Sequence, residues 1–487
     1  MNKVPYWGWL CALAALTVLR IGVSAWLPLT PDEAYYRVWA LAPATGYLDH
    51  PPMVAVFIGL GMALAGDTAC GVRLLGPVSA ALGSLFLVLA TRRWGLSRGQ
   101  EPSQATKAGI QAAVLLNGTL ALGVGTILIT PDTPLLFFMA LFLWSLTGLL
   151  QSRQGWWWLV VGASAGLGCA SKYTVILPVA GLCLWVVFFA SGRMWLRTIW
   201  PWLGGLCAAL CLAPVVWWNA HHGWASFLKQ GGRAGDWHPN KIITYFGELL
   251  GGQIGLATPG IFLFFVVGAV VLFRQKNAIS RVYACMITVS AAVFIQHAFG
   301  ARVQANWPVV LYPILCMAAT LPAWRWWKAA SGLGMVLVVL VIGQALAAPL
   351  KLSPHFDMTL RQMGGWAELA PKLDGQLPER EPLIADEYGL AAELAFYAPA
   401  SRPVVAVEPR WALFALQPSA CTEGYLVRSH RRHDAPDPAV FTVLERLPDV
   451  ARARRGVVAD IYSVYKVRLQ CTALGRGQDA VLLPRHG

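Results

Sequence analysis

The sequence predicts a polytopic α-helical membrane protein with about eleven transmembrane helices and a small C-terminal α/β domain. Three observations point there. The 487-residue chain is 57% hydrophobic and only 13% charged, where soluble domains run near 25% charged. Its mean hydropathy is +0.54, and its 23 tryptophans suit bilayer interfaces. Apolar runs near the ~20 residues that cross a bilayer recur up to about residue 350, and beyond it the composition turns ordinary.

The first run, 6–28, follows a single Lys3 and lacks a small-residue cleavage site, so it reads as a retained membrane helix and not a signal peptide. Further spans are expected at 73–91, 108–129, 133–150, 156–171, 174–190, 199–218, 253–273, 282–300, 307–323 and 331–349. Two of these, 156–171 and 174–190, are short and read equally well as one broken pair around Lys172. Met53–Ala65 is apolar but short, so it is expected to be an interfacial or re-entrant helix.

The net charge of +14 does not imply nucleic acid. The basic residues sit in short clusters between apolar runs (Arg92-Arg93-Arg98-Lys107, Arg193-Arg197, Arg274-Lys276-Arg281), the positive-inside pattern of cytoplasmic loops. That places the N-terminus in the cytoplasm. The loops on the other side are then 29–72, 130–132, about 172, 219–252, 301–306 and everything after 350. Of the acids before residue 350, only Glu101 falls on the cytoplasmic side. The domain division expected is 1–350 for the membrane part, with 29–72 and 219–252 as its outer loops, and 351–487 for an outer α/β domain.

In that tail, EPLIADEYGLAAELAFYA reads as a strand running into an amphipathic helix, and RPVVAVE, EGYLVRS and ADIYSVYKVRLQ read as strands. The ten cysteines show no CxxC or Cys/His metal spacing. Cys421 and Cys471 lie in the polar tail and are the disulfide candidates in an oxidising compartment.

Chemistry-bearing residues gather on the outer side. TPDEAYY (residues 30–36) reads as a helix start: Thr30 N-cap, Pro31 at N1, Asp32 and Glu33 in the first turn. A carboxylate there also suits a general base, and the adjacent pair suits a divalent cation. No other cofactor is implied. YLDHPPM places Asp49 and His50 in a rigid turn, and LITPDTP gives Asp132 a second acidic helix start. Lys172 in CASKYT is a lone charge between apolar segments, costly and therefore a candidate partner for an anion such as phosphate. The loop 217–241 mixes His222, Lys229 and Arg233 with tryptophan and glycine, and ARVQANWP adds donors from Arg302, Gln304 and Asn306. The histidines lack HExxH spacing. Together these suit a lipid-linked, phosphate-bearing substrate with its tail in the bilayer.

The order TPDEAYY, GYLDHPP, TPDTP, SKYT, WWNAHHGW, VQANWP resembles the bacterial GT-C glycosyltransferases over roughly residues 1–350. That group includes protein O-mannosyltransferases and lipid A aminoarabinose transferases. The resemblance implies transfer from a polyprenyl-phosphate sugar to a lipid, glycan or protein acceptor, outside the cytoplasm and with inversion. It implies catalytic roles for Asp32, Glu33 and Asp132, a donor-phosphate contact for Lys172, and donor or acceptor binding by Arg233. Arg302 stands where a lysine is expected, which keeps the charge. Two other readings stay open: a transporter or flippase of an anionic lipid, for which Arg20 is the best intramembrane candidate, and a scaffold.

Overall fold

The computed structural model describes residues 6–232, 237–322, 324–378, 380–419, 423–470 and 480–485. The chain divides into two compact units. One comprises Met1–Gly22, Thr45–Phe57 and Leu75–Val339. The other comprises Val23–Ala44, Ile58–Leu74 and Leu340–Gly487.

Among the described residues, six helices are long and apolar enough to cross a membrane: Tyr6–Trp26, Ala69–Ser97, Asp132–Ser152, Trp200–His221, Ala278–Ala298 and Trp327–Ala347. Two bent pairs raise this to eight, Tyr173–Phe188 with Ala190–Leu196 (91°) and Pro239–Ala257 with Pro259–Phe273 (107°). The expected eleven are therefore not reached by helix length. The run 108–129 folds as Pro102–Asn117 and the short turn Leu120–Gly123. The run 156–171 shortens to Trp157–Cys169, and 307–323 to Pro308–Ala318. Apolar composition does not distinguish a helix walled by lipid from one walled by protein. Asp132–Ser152 is 78% buried over its apolar window and Trp200–His221 only 22%, yet their sequences read alike. Met53–Ala65 is a 13-residue helix, about 20 Å long at 1.5 Å per residue and too short to span.

The first unit is helical. Its helices meet through small residues: a Cβ on Gly162 would lie 1.9 Å from the carbonyl oxygen of Gly204, so Trp157–Cys169 and Trp200–His221 touch backbone to backbone. Lys172 sits just past the first of these helices, where the chain breaks before the 3-10 turn Tyr173–Val175.

The second unit is built on a seven-stranded sheet. Its strands are β1 (Leu383–Ala385), β2 (Val404–Val407), β3 (Gln417–Pro418), β4 (Glu423–Ser429), β5 (Phe441–Arg454), β6 (Val457–Leu469) and β7 (Ala480–Leu482), in the spatial order β3-β7-β2-β1-β4-β6-β5. β1 runs parallel to both β2 and β4, and the other pairings are antiparallel. Three of the four strands read from sequence correspond to β2, β4 and β6, and the fourth to β1. The crossover helix from β1 to β2, Tyr388–Tyr397, is not amphipathic as expected. Gly389 through Ala395 are all buried, because the sheet lies on one side and the helix Pro31–Leu41, of the same unit, packs on another.

Candidate functional site

Thr30 caps the helix Pro31–Leu41 with a complete capping box: its side chain accepts from the Glu33 amide, and Glu33 accepts from the Thr30 amide (3.0 Å). Pro31 at N1 has no amide to strand there. The helix start thus follows the sequence expectation.

The two acids of that first turn have different fates. Glu33 is fully buried and paired bidentately with Arg73, whose Nε donates to Oε1 and Nη2 to Oε2, both at 2.6 Å. Arg73 spends its remaining donors on the carbonyls of Ser24, Leu27 and Pro28. This fork-to-fork pair is charge-assisted and geometrically specific, and it locks the chain leaving the first helix. Asp32, one residue earlier, is exposed and accepts a hydrogen bond from the Tyr388 hydroxyl (3.0 Å). A second pair, buried Arg37 with half-buried Asp67, ties the same helix to the segment 58–74. Arg73 and Asp67 went unremarked in the sequence as partners of TPDEAYYR. The available signal was a single arginine at the acidic, outer end of the second span.

In the other unit, Asp132 begins the helix Asp132–Ser152 and Lys172 stands at the break described above. The Lys172 ammonium donates to Asp132 Oδ1 (2.7 Å) and to the carbonyl of Asn306 (3.3 Å), while the Asn306 amide donates to Asp132 Oδ2 (2.7 Å). Lys172 is 5% and Asp132 14% exposed. An ammonium has three donors, and two are used here among the described residues. Three sequence motifs far apart, TPDTP, SKYT and VQANWP, therefore converge on one polar cluster. Asn306 does the bonding, and its neighbour Gln304 is exposed.

The loop with Asn306 also edges an apolar groove of about 570 Å³, lined by Phe246, Leu250, Phe265, Phe294, Leu311 and Tyr312 among others. Gln253 connects the two, donating to the Ala305 carbonyl (2.8 Å) and accepting from the Tyr312 hydroxyl (3.0 Å). Arg302 pairs with Glu248 (3.0 Å) on the exposed side.

Asp49 is held by Lys229 (2.6 Å), and its carbonyl accepts from Gln230 (2.6 Å). His50 follows it in the same unit, half-buried. His222 stacks on Trp218 with ring centroids 4.2 Å apart and shares a 2.7 Å contact with that residue's carbonyl. Trp218 in turn lies against Gly46, where a Cβ would come within 2.9 Å of the indole. Arg233, Cys421 and Cys471 lie outside the described residues. Among those described, no group of three or more His, Cys, Asp or Glu side chains is placed to hold a metal ion. Both Glu33 oxygens are taken by Arg73, so the Asp32–Glu33 pair does not present two open carboxylates. Arg20 is tied to Asn117 Oδ1 (2.8 Å), and Asn117 to Ser84 (2.9 Å), a closed buried network of neighbouring helices.

The chain is a multi-pass membrane protein with several apolar spans, and the proteins it is similar to are described as sugar transferases. Residues 49–218 match the family described as dolichyl-phosphate-mannose-protein mannosyltransferase. Over 477 residues the chain is 25% identical to the lipid A galacturonosyltransferase RgtD of Rhizobium johnstonii, covering 91% of this chain and 93% of that one. Its fold is similar to that of ArnT from Cupriavidus metallidurans. The TM-score is 0.64 to the form bound to undecaprenyl phosphate, at 14% identity over 96% of this chain and 99% of ArnT. It is 0.63 to the apo form, at 15% identity over 94% and 98%.

Proposed function

We propose that the chain transfers a sugar from a polyprenyl-phosphate carrier to a lipid, glycan or protein acceptor, on the periplasmic face of a bacterial inner membrane and with inversion. The carrying observation is the Lys172–Asp132–Asn306 cluster at the edge of an apolar groove. A phosphate needs a desolvated cation, and its prenyl tail needs an apolar wall. The groove residues and Lys172 supply these on either side of the Ala305–Asn306 backbone. The relatives named above support the same donor class, and the positive-inside pattern supports the orientation. Lipid A is the first acceptor to test, because RgtD is named for it.

In this reading the reaction is one displacement. The acceptor oxygen bonds to the anomeric carbon on the face opposite the phosphate, and the bond from that carbon to the phosphate oxygen breaks. The proton of a hydroxyl acceptor passes to Asp32. A phosphate acceptor needs no such base, and Asp32 then orients it. Lys172 stabilises the negative charge gathering on the departing polyprenyl phosphate, the place where a fixed cation accelerates the step most. Asp132 and Asn306 hold Lys172 in place. Glu33 acts through the backbone, fixing the turn that presents Asp32. His50, His222, Arg302 and Gln304 are proposed as substrate contacts on the outer loops.

The test is transfer of label from a panel of radiolabelled undecaprenyl-phosphate sugars into lipid and protein fractions, with wild type beside Asp32→Asn at equal expression. Transfer of one sugar, lost in the variant, is expected. A fully active Asp32→Asn or an untouched donor panel overturns the assignment.

A further inference from the structure

The second unit contains a cavity of about 840 Å³ that the reaction above leaves unused except at one residue, Asp32. Its position follows from topology. β1 lies between β2 and β4 and is parallel to both. After β1 the chain crosses by the helix Tyr388–Tyr397 to β2 on one side. After β4 it departs to the other side, toward β5 and β6. Where neighbouring parallel strands send their connections apart, a crevice opens beyond their carboxyl ends, the usual ligand position in α/β sheets. The cavity is lined by the residues that follow each of these strands: Asp386 and Glu387 after β1, Glu408 and Arg410 after β2, Arg431 and Arg432 after β4.

The wall chemistry narrows the ligand. Five arginines and six carboxylates line the cavity, so it is not a simple anion trap. Several are mutually paired: Arg410 with Glu408 (2.7 Å), Arg432 with Asp386 (3.1 Å), Arg431 with Asp460 (3.4 Å). Yet one oxygen of Asp386 and one of Glu408 have no hydrogen-bond donor among the described residues; both are shielded as placed, and rotation of the carboxylate brings them to a ligand in the cavity. Such acceptors are costly when left unmade. Arg361 also lines the cavity and offers guanidinium donors, one of them directed at the Met358 sulfur. A ligand satisfying both kinds of group must donate and accept at many points, as a polyhydroxylated ring does. The volume lies within the ~300–1,000 Å³ of small-ligand pockets and admits more than one pyranose.

We propose that this crevice binds the oligosaccharide portion of the acceptor, with carboxylates Asp386 and Glu408 accepting from sugar hydroxyls and Arg361 donating to them. This rests on the glycosyltransferase reading and deepens it: the acceptor is a glycan or glycolipid, and Asp32 lines the same cavity.

The test is binding of tritium-labelled oligosaccharide, released by mild acid from a lipopolysaccharide core, to the full chain in lipid nanodiscs. Saturable binding is expected, weakened tenfold or more by Glu408→Gln and by Arg361→Gln. Arg468→Gln, at an exposed pair with Glu423 away from the cavity, is expected to bind as wild type. Unfolding temperatures within a few degrees of wild type establish that the variants are folded. Absence of saturable binding overturns the proposal, and so does complete displacement by millimolar inorganic phosphate, which would reveal a plain anion site. Donor transfer is measured in parallel. Binding without transfer from any polyprenyl-phosphate sugar sinks the enzymatic reading and leaves the crevice standing, whereas transfer without binding does the reverse.

Discussion

Replacing Lys172 separates two roles that one contact combines. Its ammonium is 2.7 Å from Asp132 Oδ1, and both side chains are almost wholly shielded from water. Lys172→Met therefore has two expected effects. It strands the Asp132 carboxylate with Asn306 as its recorded partner, and breaking a buried pair from one side costs about 3–5 kcal/mol. It also removes the cation proposed to meet the leaving phosphate, a role worth about 10²–10³ in turnover, or roughly 2.7–4 kcal/mol, by analogy with removal of one oxyanion donor. The double variant Lys172→Met with Asp132→Asn isolates the second. The neutral amide still accepts from Asn306, and replacing both charges of a buried pair is often near neutral for stability. The expected result is an unfolding temperature near wild type, with single-turnover sugar transfer still at least a hundredfold down. The assay is label transfer from the polyprenyl-phosphate sugar, read beside thermal unfolding in the same detergent. A double variant within tenfold of wild-type turnover would show that Lys172 only neutralises Asp132, and the phosphate assignment would fall.

Glu33→Gln is expected to lower stability by about 3–5 kcal/mol, because Gln still completes the capping box but leaves Arg73 buried without counter-charge. Thr30→Ala should cost about 1 kcal/mol, and equal drops in unfolding temperature would show that the cap and not the ion pair secures the segment. Glu393, buried in the helix Tyr388–Tyr397 with no donor to either oxygen among the described residues, has its carboxyl pushed well above the ordinary range, chiefly by burial. A raised acid stabilises the fold in its protonated form, so stability is full below the ordinary glutamate range and falls as pH rises through the shifted value. Unfolding temperature measured from pH 5 to 9 should decline more steeply in wild type than in Glu393→Gln, and parallel curves would refute this. Gly46→Ala drives a methyl into the Trp218 indole. It should cost about 1–3 kcal/mol and disturb the His222 stack, visible as altered tryptophan fluorescence and reduced transfer.

Local signals were the legible ones. Thr-Pro-Asp-Glu announced a capped helix, and the structure has the full capping box. The thirteen apolar residues at Met53–Ala65 announced a short helix with those bounds. The loneliness of Lys172 marked it as a costly charge in need of an anion, and the anion found beside it is the Asp132 carboxylate. Partner identity was not legible. Asp132 and Asn306 are 40 and 134 residues from Lys172, and nothing local encodes such a pairing. Span number was not legible from hydropathy alone, because hydropathy measures what a helix is made of, while helix length is set by breaks such as Gly118-Thr119. The cavity beyond β1 and β4 was hidden for another reason. Strand order is a property of the assembled sheet, and β5 gave too little alternation to be read.

The second unit draws its residues from both ends of the chain, and this has a consequence for synthesis. Tyr388 lies 356 residues after Asp32, its hydrogen-bond partner. At about 5–20 residues per second, roughly 18–70 s separate their emergence from the ribosome. Through that interval the helix Pro31–Leu41 has no helix Tyr388–Tyr397 to pack on, and its buried face waits in the translocation machinery or against lipid. Maturation of this protein is therefore gated by its last hundred residues. A nonsense mutation after the final apolar helix would leave every membrane segment made and Asp32 unseated, an inserted but truncated product without the helix on which Pro31–Leu41 packs.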